Sequence, residues 1–200
     1  MKRFVSGFLA MMMLFVPVLA YGENATIETI EYDFKTFCWG DSRDAVIAVE
    51  GTPYIADGKV NGMDVEYIAY KTTAVGLDML LAYYFCDDGL FRVRYISDET
   101  HSNESLYIDD YTSFKKALTK KYGNPLIDTE KWENDSKKSY YADRKGDALN
   151  YGYLTYLTIY SLDRSYISMS MSADNYEISM KVDYESKTID PGEADFSDDI

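Results

Sequence analysis

Two stretches of the chain carry apolar residues at helical spacing, and each stops at a glycine that is followed two residues later by a proline. The first stretch begins at Asp41 or Ser42 and ends at Glu50, and the second runs over residues 107–122. Glycine accepts the left-handed conformation that ends a helix, and proline prevents the chain from re-entering it. The pattern predicts two helices with equivalent ends, at Gly51 and Pro53 in the first and at Gly123 and Pro125 in the second.

Segments of alternating apolar and polar residues follow each helix, as is typical of half-buried strands. The expected strands are residues 60–71, 77–86 and 90–96 after the first helix, and 127–132, 153–161, 166–172 and 176–184 after the second. Residues 133–147 are rich in Asp, Lys and Ser and are expected to form a long loop. The predicted fold class is α+β, with two tandem units over about 30–97 and 105–186. Each unit is a helix followed by an antiparallel meander, with the helices packed on one sheet face.

The expected turns decide which side chains point away from the helices. A three-residue turn over residues 87–89 sets Cys86 opposite Leu90, and a two-residue turn at Asp174-Asn175 sets Met169 opposite Met180. The core then takes Ile167, Met169, Met171, Met180 and Val182, together with Leu157, Ile159 and Phe91. Tyr and Arg side chains dominate binding hot spots, so the open face is the predicted partner-binding site. It carries Tyr84, Arg92, Arg94, Tyr156, Tyr160 and Tyr166.

Both ends of the chain have the composition of segments outside the fold. Lys2 and Arg3 precede an apolar run that ends in small residues, which is the pattern of a signal peptide over residues 1–22. Residues 23–186 are expected to form one body, and the acidic residues 187–200 a disordered tail. The predicted location is secreted, periplasmic or otherwise extracytoplasmic, with no stable membrane insertion after cleavage.

Charge and motifs exclude several classes of function. The formal net charge of −14 repels phosphate backbones, so nucleic acid is not an expected partner. Phosphate-loop, dinucleotide and nucleophile-elbow motifs are absent from the sequence. Residues 97–106 form a polar link between the two units and contain the single histidine, His101, together with Asp98, Glu99 and Glu104. Acidic residues in such a link are expected to be solvated. We predict no catalytic residue, no metal and no cofactor.

The only cysteines are Cys38 and Cys86. In an exported chain an even pair favours a disulfide. Cys86 ends a strand on the face away from the predicted helix, and Cys38 just precedes that helix, which could hold the two too far apart. Pairing and free thiols both remain open.

The residues around the first helix also carry a family resemblance. The pattern Trp39-Gly40-x-Ser42-x-x-x-Val46, with Glu50-Gly51-x-Pro53, resembles the unit of the outer-membrane lipoprotein BamE (SmpA/OmlA) family. Its tandem form resembles the secreted β-lactamase inhibitor protein, and the pattern is also similar to uncharacterised exported bacterial proteins. The resemblance implies a non-enzymatic protein that binds another protein, often through an aromatic sheet face.

Tyrosine, with 20 residues, is the strongest compositional signal. Tyrosine is enriched at recognition surfaces and is also a good strand former. The predicted function is an exported binding or inhibitory module with a protein partner. Two alternatives remain: a small secreted hydrolase using paired carboxylates that converge in space, and a structural accessory protein of the cell envelope. The adjacent pairs Asp87-Asp88 and Asp109-Asp110 lie at a turn and at a helix start, where acidic residues are expected for structural reasons.

Overall fold

The structure, a computed structural model, describes residues 31–60 and 64–192. The predicted signal peptide and the last eight residues of the predicted tail lie outside this part of the chain. The described residues form helices α1 (Arg43–Glu50), α2 (Ser105–Tyr122), α3 (Asp135–Tyr140) and α4 (Lys145–Asn150). The strands are β1 (Ile55–Lys59), β2 (Glu66–Ala74), β3 (Leu77–Cys86), β4 (Gly89–Ser97), β5 (Ile127–Trp132), β6 (Leu154–Ser161), β7 (Ser165–Asp174) and β8 (Glu177–Ser186).

The described strands form one antiparallel sheet of eight, in the order β1-β2-β3-β4-β8-β7-β6-β5. Strands β1 to β4 make one meander and β5 to β8 the other. The two meanders meet where β4 pairs with β8, with Arg94 directly opposite Asp183. The protein is therefore α+β, as the sequence predicts, and each meander contributes its last strand to the central seam.

The ends of α1 and α2 follow from local backbone chemistry. The Ser42 side chain accepts a hydrogen bond from a backbone N–H in the first turn of α1, which satisfies one of the free donors there. Gly51 follows α1 with a φ of 88°, and Gly123 follows α2 with a φ of 84°. Each glycine donates its N–H to the carbonyl four residues earlier. A β-branched residue would be strained at either position.

The main core lies on one face of the sheet, under helices from three parts of the chain. Val46 of α1, Phe114 of α2 and Leu149 of α4 belong to a single buried apolar cluster with residues of both meanders. The core residues predicted on β7 and β8 are confirmed. Each is at most 2% exposed: Ile167, Met169, Met171, Met180 and Val182.

The first meander also buries residues on its other face, where a smaller cluster includes Ala82, Tyr84 and Phe91. The prediction placed Phe91 in the main core, and this is wrong. The hairpin pairs Cys86 with Gly89 rather than with Leu90, and the register then shifts between Tyr84 and Phe85. The shift is a bulge, which moves Phe91 to the opposite face from that expected.

Strand β6 faces the opposite way from the prediction. Leu162 pairs with Ser165 across the turn, which sets Tyr160 directly opposite Ile167. Cross-strand partners share a face, and because Ile167 is in the core, Tyr160 is there too. A change of one residue in register moves every side chain to the other face, so the prediction that Leu157 and Ile159 point inward is wrong.

The β7–β8 turn lies one residue later than predicted. It consists of Asn175 and Tyr176, both with positive φ, instead of Asp174 and Asn175. Met169 consequently pairs with Val182 rather than with Met180. This register differs from the predicted one by two residues, so the same side chains still face the core.

Residues 133–147 are not a long loop, because they contain α3 and the start of α4. The Asn134 side chain caps α3 by accepting the Lys137 N–H at 2.9 Å. Helix α4 packs closely on the start of α2: a Cβ added to Gly146 would lie 2.9 Å from the backbone nitrogen of Ser105. Helix α4 is thus fixed to the body of the protein.

The chain after β8 stays close to the sheet. Ile189 packs against both apolar clusters, and its N–H donates to the Ser186 hydroxyl at 3.1 Å. The predicted disordered tail therefore does not begin at residue 187. Within the described ranges, none of the helices has the length and apolar composition needed to cross a bilayer.

Candidate partner-binding surface

Three of the predicted binding residues belong to the first meander, and all three are paired or packed within the chain. Tyr84 is buried in the smaller apolar cluster. Arg92 pairs with Glu185 at 2.5 Å, and Arg94 Nε lies 2.6 Å from Asp183 Oδ1. The carboxylates that face these arginines come from β8 of the same chain. The prediction that these side chains form an open face is wrong, and the two ion pairs cross the β4–β8 seam instead.

The other three predicted residues belong to the second meander. Tyr156 is buried, and its ring packs against an aromatic ring of α2. Tyr160 is also buried, and its hydroxyl lies 2.9 Å from the Thr119 hydroxyl. Both are core residues, because β6 faces the opposite way from the prediction. Tyr166 is 44% exposed and therefore is accessible as predicted.

Both cysteines are free thiols in the structure. Cys38 Sγ lies 3.8 Å from the Glu31 carbonyl, and Cys86 Sγ lies 3.8 Å from the Gly89 carbonyl. Burial, and then the nearby carboxylate of Asp41, raise the pKa of the Cys38 thiol. A raised pKa disfavours the thiolate that a nucleophile needs.

The polar link before α2 forms one wall of an open groove of about 500 Å³, whose lining includes Glu99, His101, Glu104 and Glu177. The groups around it are engaged in local structure. His101 Nε2 lies 2.6 Å from Asp110 Oδ2, and Glu99 accepts the N–H of Asp78 at 2.7 Å. Across residues 31–60 and 64–192, no group of three or more His, Cys, Asp or Glu side chains has the geometry to hold a metal.

A different set of five tyrosines is in mutual contact at the end of the protein formed by α3, α4 and the β7–β8 turn; three of the five are exposed, and Tyr141 and Tyr153 are half-buried against the main core. We call it the tyrosine surface; its members are Tyr140, Tyr141, Tyr151, Tyr153 and Tyr176. Neighbouring ring centroids are 4.8 to 6.0 Å apart, within the range for favourable aromatic contacts. Tyr140 is 70% exposed, Tyr176 is 69% exposed and Tyr151 is 47% exposed.

Two cations lie over rings of the tyrosine surface. Lys137 Nζ is 3.5 Å from the centroid of Tyr153, and Arg144 Cζ is 5.1 Å from the centroids of both Tyr140 and Tyr141. Both distances are within the range of a cation–π interaction. A side-chain hydrogen bond with Tyr153 raises the pKa of the Lys137 amine. The surface combines aromatic rings with fixed positive charge.

Helix α4, which leads into Tyr151, is held from behind. Gly146, Ala148 and Leu149 of α4 are buried, and Tyr151 donates its N–H to the Asp147 carbonyl at 3.0 Å. These contacts anchor the backbone of α4 and leave the ring of Tyr151 on the outside. A rigid backbone with exposed aromatic side chains is suited to binding, because little order has to be gained on association.

Tyr176 occupies a backbone conformation that tyrosine rarely adopts. Its φ is 68° and that of Asn175 is 47°, so the β7–β8 turn has two left-handed residues. Glycine is the usual second residue of such a turn. A side chain in this region costs roughly 1 to 2 kcal/mol. The backbone of the turn is therefore strained at Tyr176, whose exposed ring belongs to the tyrosine surface.

Sequence reasoning missed this surface because it took residues 133–147 to be a loop. One local signal pointed the other way: Asn134 is a good N-cap residue, and Asp135 suits the first turn of a helix. The contact between Tyr151 and Tyr176 had no comparable signal. It depends on how α4 packs beside the β7–β8 turn.

Comparisons with known proteins give no relative for this chain: no protein-family model matches it, and neither curated proteins nor solved structures gave a significant match.

Proposed function

We propose that this protein is an exported, non-enzymatic binding module that recognises a protein partner through the tyrosine surface. The observation that carries the proposal is the set of contacting tyrosines, of which Tyr140, Tyr151 and Tyr176 are each at least 47% exposed. Contiguous exposed apolar patches mark interaction sites, whereas single exposed apolar residues do not.

The chemistry of the surface favours a protein as the ligand. Tyrosine provides a large, amphipathic contact area with only two side-chain torsions to fix, which is why recognition loops use it. Arg144 adds a side-chain type that is common at binding hot spots. The strained φ of Tyr176 supports the same conclusion, because non-glycine residues in unfavourable conformations concentrate at functional sites.

The proposal extends to the organisation of the chain. We infer that the two meanders arose as a tandem duplication of the Gly-x-Pro unit, as in the BamE-like and β-lactamase-inhibitor-like resemblance. Support comes from the symmetric strand order and from the equivalent backbone conformations of Gly51 and Gly123. The pattern of residues 1–22 supports export.

Site-specific photo-crosslinking tests the proposed binding. A benzophenone amino acid placed at Tyr140 should crosslink the full chain to a partner protein in the native envelope or secreted fraction. Tyr54 is the matched control, because it is 64% exposed, carries Lys71 over its ring at 4.8 Å and does not belong to the tyrosine surface.

The expected result is one discrete crosslinked species from position 140 and none from position 54. A second label at Tyr151 should give the same species. The same crosslinks from position 54, or none from positions 140 and 151, would count against the proposal.

A further inference from the structure

Two exposed tyrosines face each other on the outside of the protein. The described residues include six tyrosines with exposed side chains, which are Tyr32, Tyr54, Tyr140, Tyr151, Tyr166 and Tyr176. Among these six, only Tyr151 and Tyr176 have rings in contact with each other. Their centroids are 6.0 Å apart and the ring planes are nearly perpendicular, at 86°. The contact joins the end of α4 to the β7–β8 turn.

The other ring contacts of Tyr151 are with Tyr141 and Tyr153, which are half-buried. Each of these two rings also has a cation over it. Arg144 Cζ lies 5.1 Å from the centroid of Tyr141, and Lys137 Nζ lies 3.5 Å from that of Tyr153. A positive charge beside a ring makes an electron harder to remove, because the electron leaves against the attraction of that charge. These two rings are therefore less accessible and harder to oxidise than an exposed ring without a cation.

The exposed pair differs in both respects. Within residues 31–60 and 64–192, no lysine or arginine lies over the ring of Tyr151 or Tyr176. Tyr176 is 69% exposed and Tyr151 is 47% exposed, so an oxidant can reach both rings and both hydroxyl groups can release protons to water. The pair has the properties that oxidative coupling of two phenols requires.

The backbone keeps the two rings together. Tyr151 follows directly after α4, whose residues Ala148 and Leu149 are buried. Tyr176 has a φ of 68°, where glycine is the usual residue of such a turn. A non-glycine residue in this conformation is a pointer to a role for its side chain. Among the described residues, the ring of Tyr176 contacts the ring of Tyr151 and no other.

We propose that Tyr151 and Tyr176 form an oxidative crosslinking site, which a haem peroxidase supplied with hydrogen peroxide converts into an intramolecular dityrosine. Each phenol loses one electron and its hydroxyl proton, which gives two phenoxyl radicals. A carbon–carbon bond then forms between the two rings, at a carbon next to each hydroxyl-bearing carbon. The hydrogens on the two joined carbons leave as protons, and both oxygens regain a proton. Overall, two electrons and two protons reduce one hydrogen peroxide to two waters.

The coupling should take place within one chain. Groups that are already in contact react as if at a very high concentration, whereas two chains must first meet in solution. The product ties the β7–β8 turn covalently to the end of α4. The inference does not depend on binding of a partner at the tyrosine surface.

Treatment of the full chain with a peroxidase and a limiting amount of hydrogen peroxide tests the proposal. At micromolar protein concentration the expected product is a monomer with dityrosine fluorescence and an intact mass lower by two hydrogen atoms. Peptide mapping by mass spectrometry should place the link between Tyr151 and Tyr176.

Phenylalanine variants test the assignment of the two residues. Tyr151→Phe and Tyr176→Phe each keep the ring but lack the hydroxyl group from which the radical forms. Each should lower the yield of the intramolecular crosslink at least tenfold. Tyr140→Phe is the matched control, because Tyr140 is also exposed and belongs to the tyrosine surface but does not contact either ring of the pair. Its yield should be within about twofold of the parent chain, and thermal melting of all three variants checks the fold.

Four results would overturn the proposal. The parent chain could give no dityrosine, or a covalent dimer could be the main product. The link could map to other tyrosines, or a folded Tyr176→Phe variant could give the same yield as the parent. Each of these results is obtained without a binding partner, so none of them bears on the proposed binding function.

Discussion

Two tyrosines lie side by side in the main core and differ in the bonding of their hydroxyl groups. The rings of Tyr111 and Tyr156 have centroids 5.3 Å apart. The Tyr111 hydroxyl lies 2.7 Å from the Thr158 hydroxyl and donates to the Met169 carbonyl at 3.2 Å. The Tyr156 hydroxyl is buried and has no hydrogen-bond partner among the described residues. Replacing each tyrosine by phenylalanine should therefore have opposite effects on stability.

The expected magnitudes follow from these contacts. Tyr111→Phe removes up to two hydrogen bonds and should destabilise by about 1 to 2 kcal/mol, because each contributes roughly 1 kcal/mol net. Tyr156→Phe removes a buried polar group that has no partner. Burying the unbonded hydroxyl already costs free energy in the folded state, because the group loses its water. Removing it should therefore leave the stability unchanged or raise it by up to about 1 kcal/mol.

Urea unfolding with linear extrapolation measures both changes, with equal m-values as the check that the two unfolded states are comparable. Equal destabilisation by the two substitutions would refute the reasoning. It would mean that the buried Tyr156 hydroxyl has a bonding partner.

Three further predictions concern the seam, the backbone and alkaline pH. Arg94→Ala leaves the Asp183 carboxylate buried without its arginine and should destabilise by about 3 to 5 kcal/mol in urea melts. Gly51→Val should cost about 1 to 2 kcal/mol through left-handed strain alone, whereas Gly89→Ala should cost more, since its Cβ would lie 2.4 Å from a backbone carbonyl oxygen. Burial, and then the charge of a nearby glutamate, raise the pKa of Tyr95 to about 12. The unfolded chain loses this proton from about pH 10 upward while the folded state keeps it, so Tyr95 alone should lower stability by about 1.4 kcal/mol per pH unit between pH 10 and 12. Burial also raises the pKa values of Tyr83, Tyr111, Tyr156 and Tyr184, so melts across that range should show a steeper fall than Tyr95 alone would give. Each argument would be contradicted by one result. For Gly51→Val and for Arg94→Ala it is a free energy of unfolding equal to that of the parent, and for Tyr95 it is a stability that does not change between pH 10 and 12.

Local chemistry made much of the fold predictable. The helix start at the serine before α1 and the helix ends at the glycines after α1 and α2 could be predicted, because caps and left-handed positions depend on a few adjacent residues. The core residues of β7 and β8 were also predicted. A two-residue error in pairing does not change the face of a strand, so the misplaced turn at Asn175 and Tyr176 left that prediction intact.

The predicted open face is wrong because β6 was given the wrong parity relative to β7. Only Asp163 and Arg164 lie between the paired residues Leu162 and Ser165, and this turn sets Tyr160 opposite Ile167, so that Tyr156 and Tyr160 face the core. The ion pair of Arg94 with Asp183 could not be predicted either, because the sequence does not show that β4 and β8 are neighbours. The recognition surface that we propose is also rich in tyrosine, but it lies at a different place in the fold.

We propose that the tyrosine surface binds a partner, and the substitution Tyr176→Gly tests this binding. Glycine relieves the left-handed strain at a φ of 68°, so the variant should be more stable by about 1 kcal/mol. It also removes an exposed ring, so its affinity for the crosslinked partner should fall at least fivefold by calorimetry. Tyr54→Ala, outside the surface, should bind like the parent. Weaker binding by a more stable protein cannot be attributed to unfolding. Unchanged affinity in the Tyr176→Gly variant and in a Tyr140→Ala, Tyr151→Ala double variant would contradict the claim.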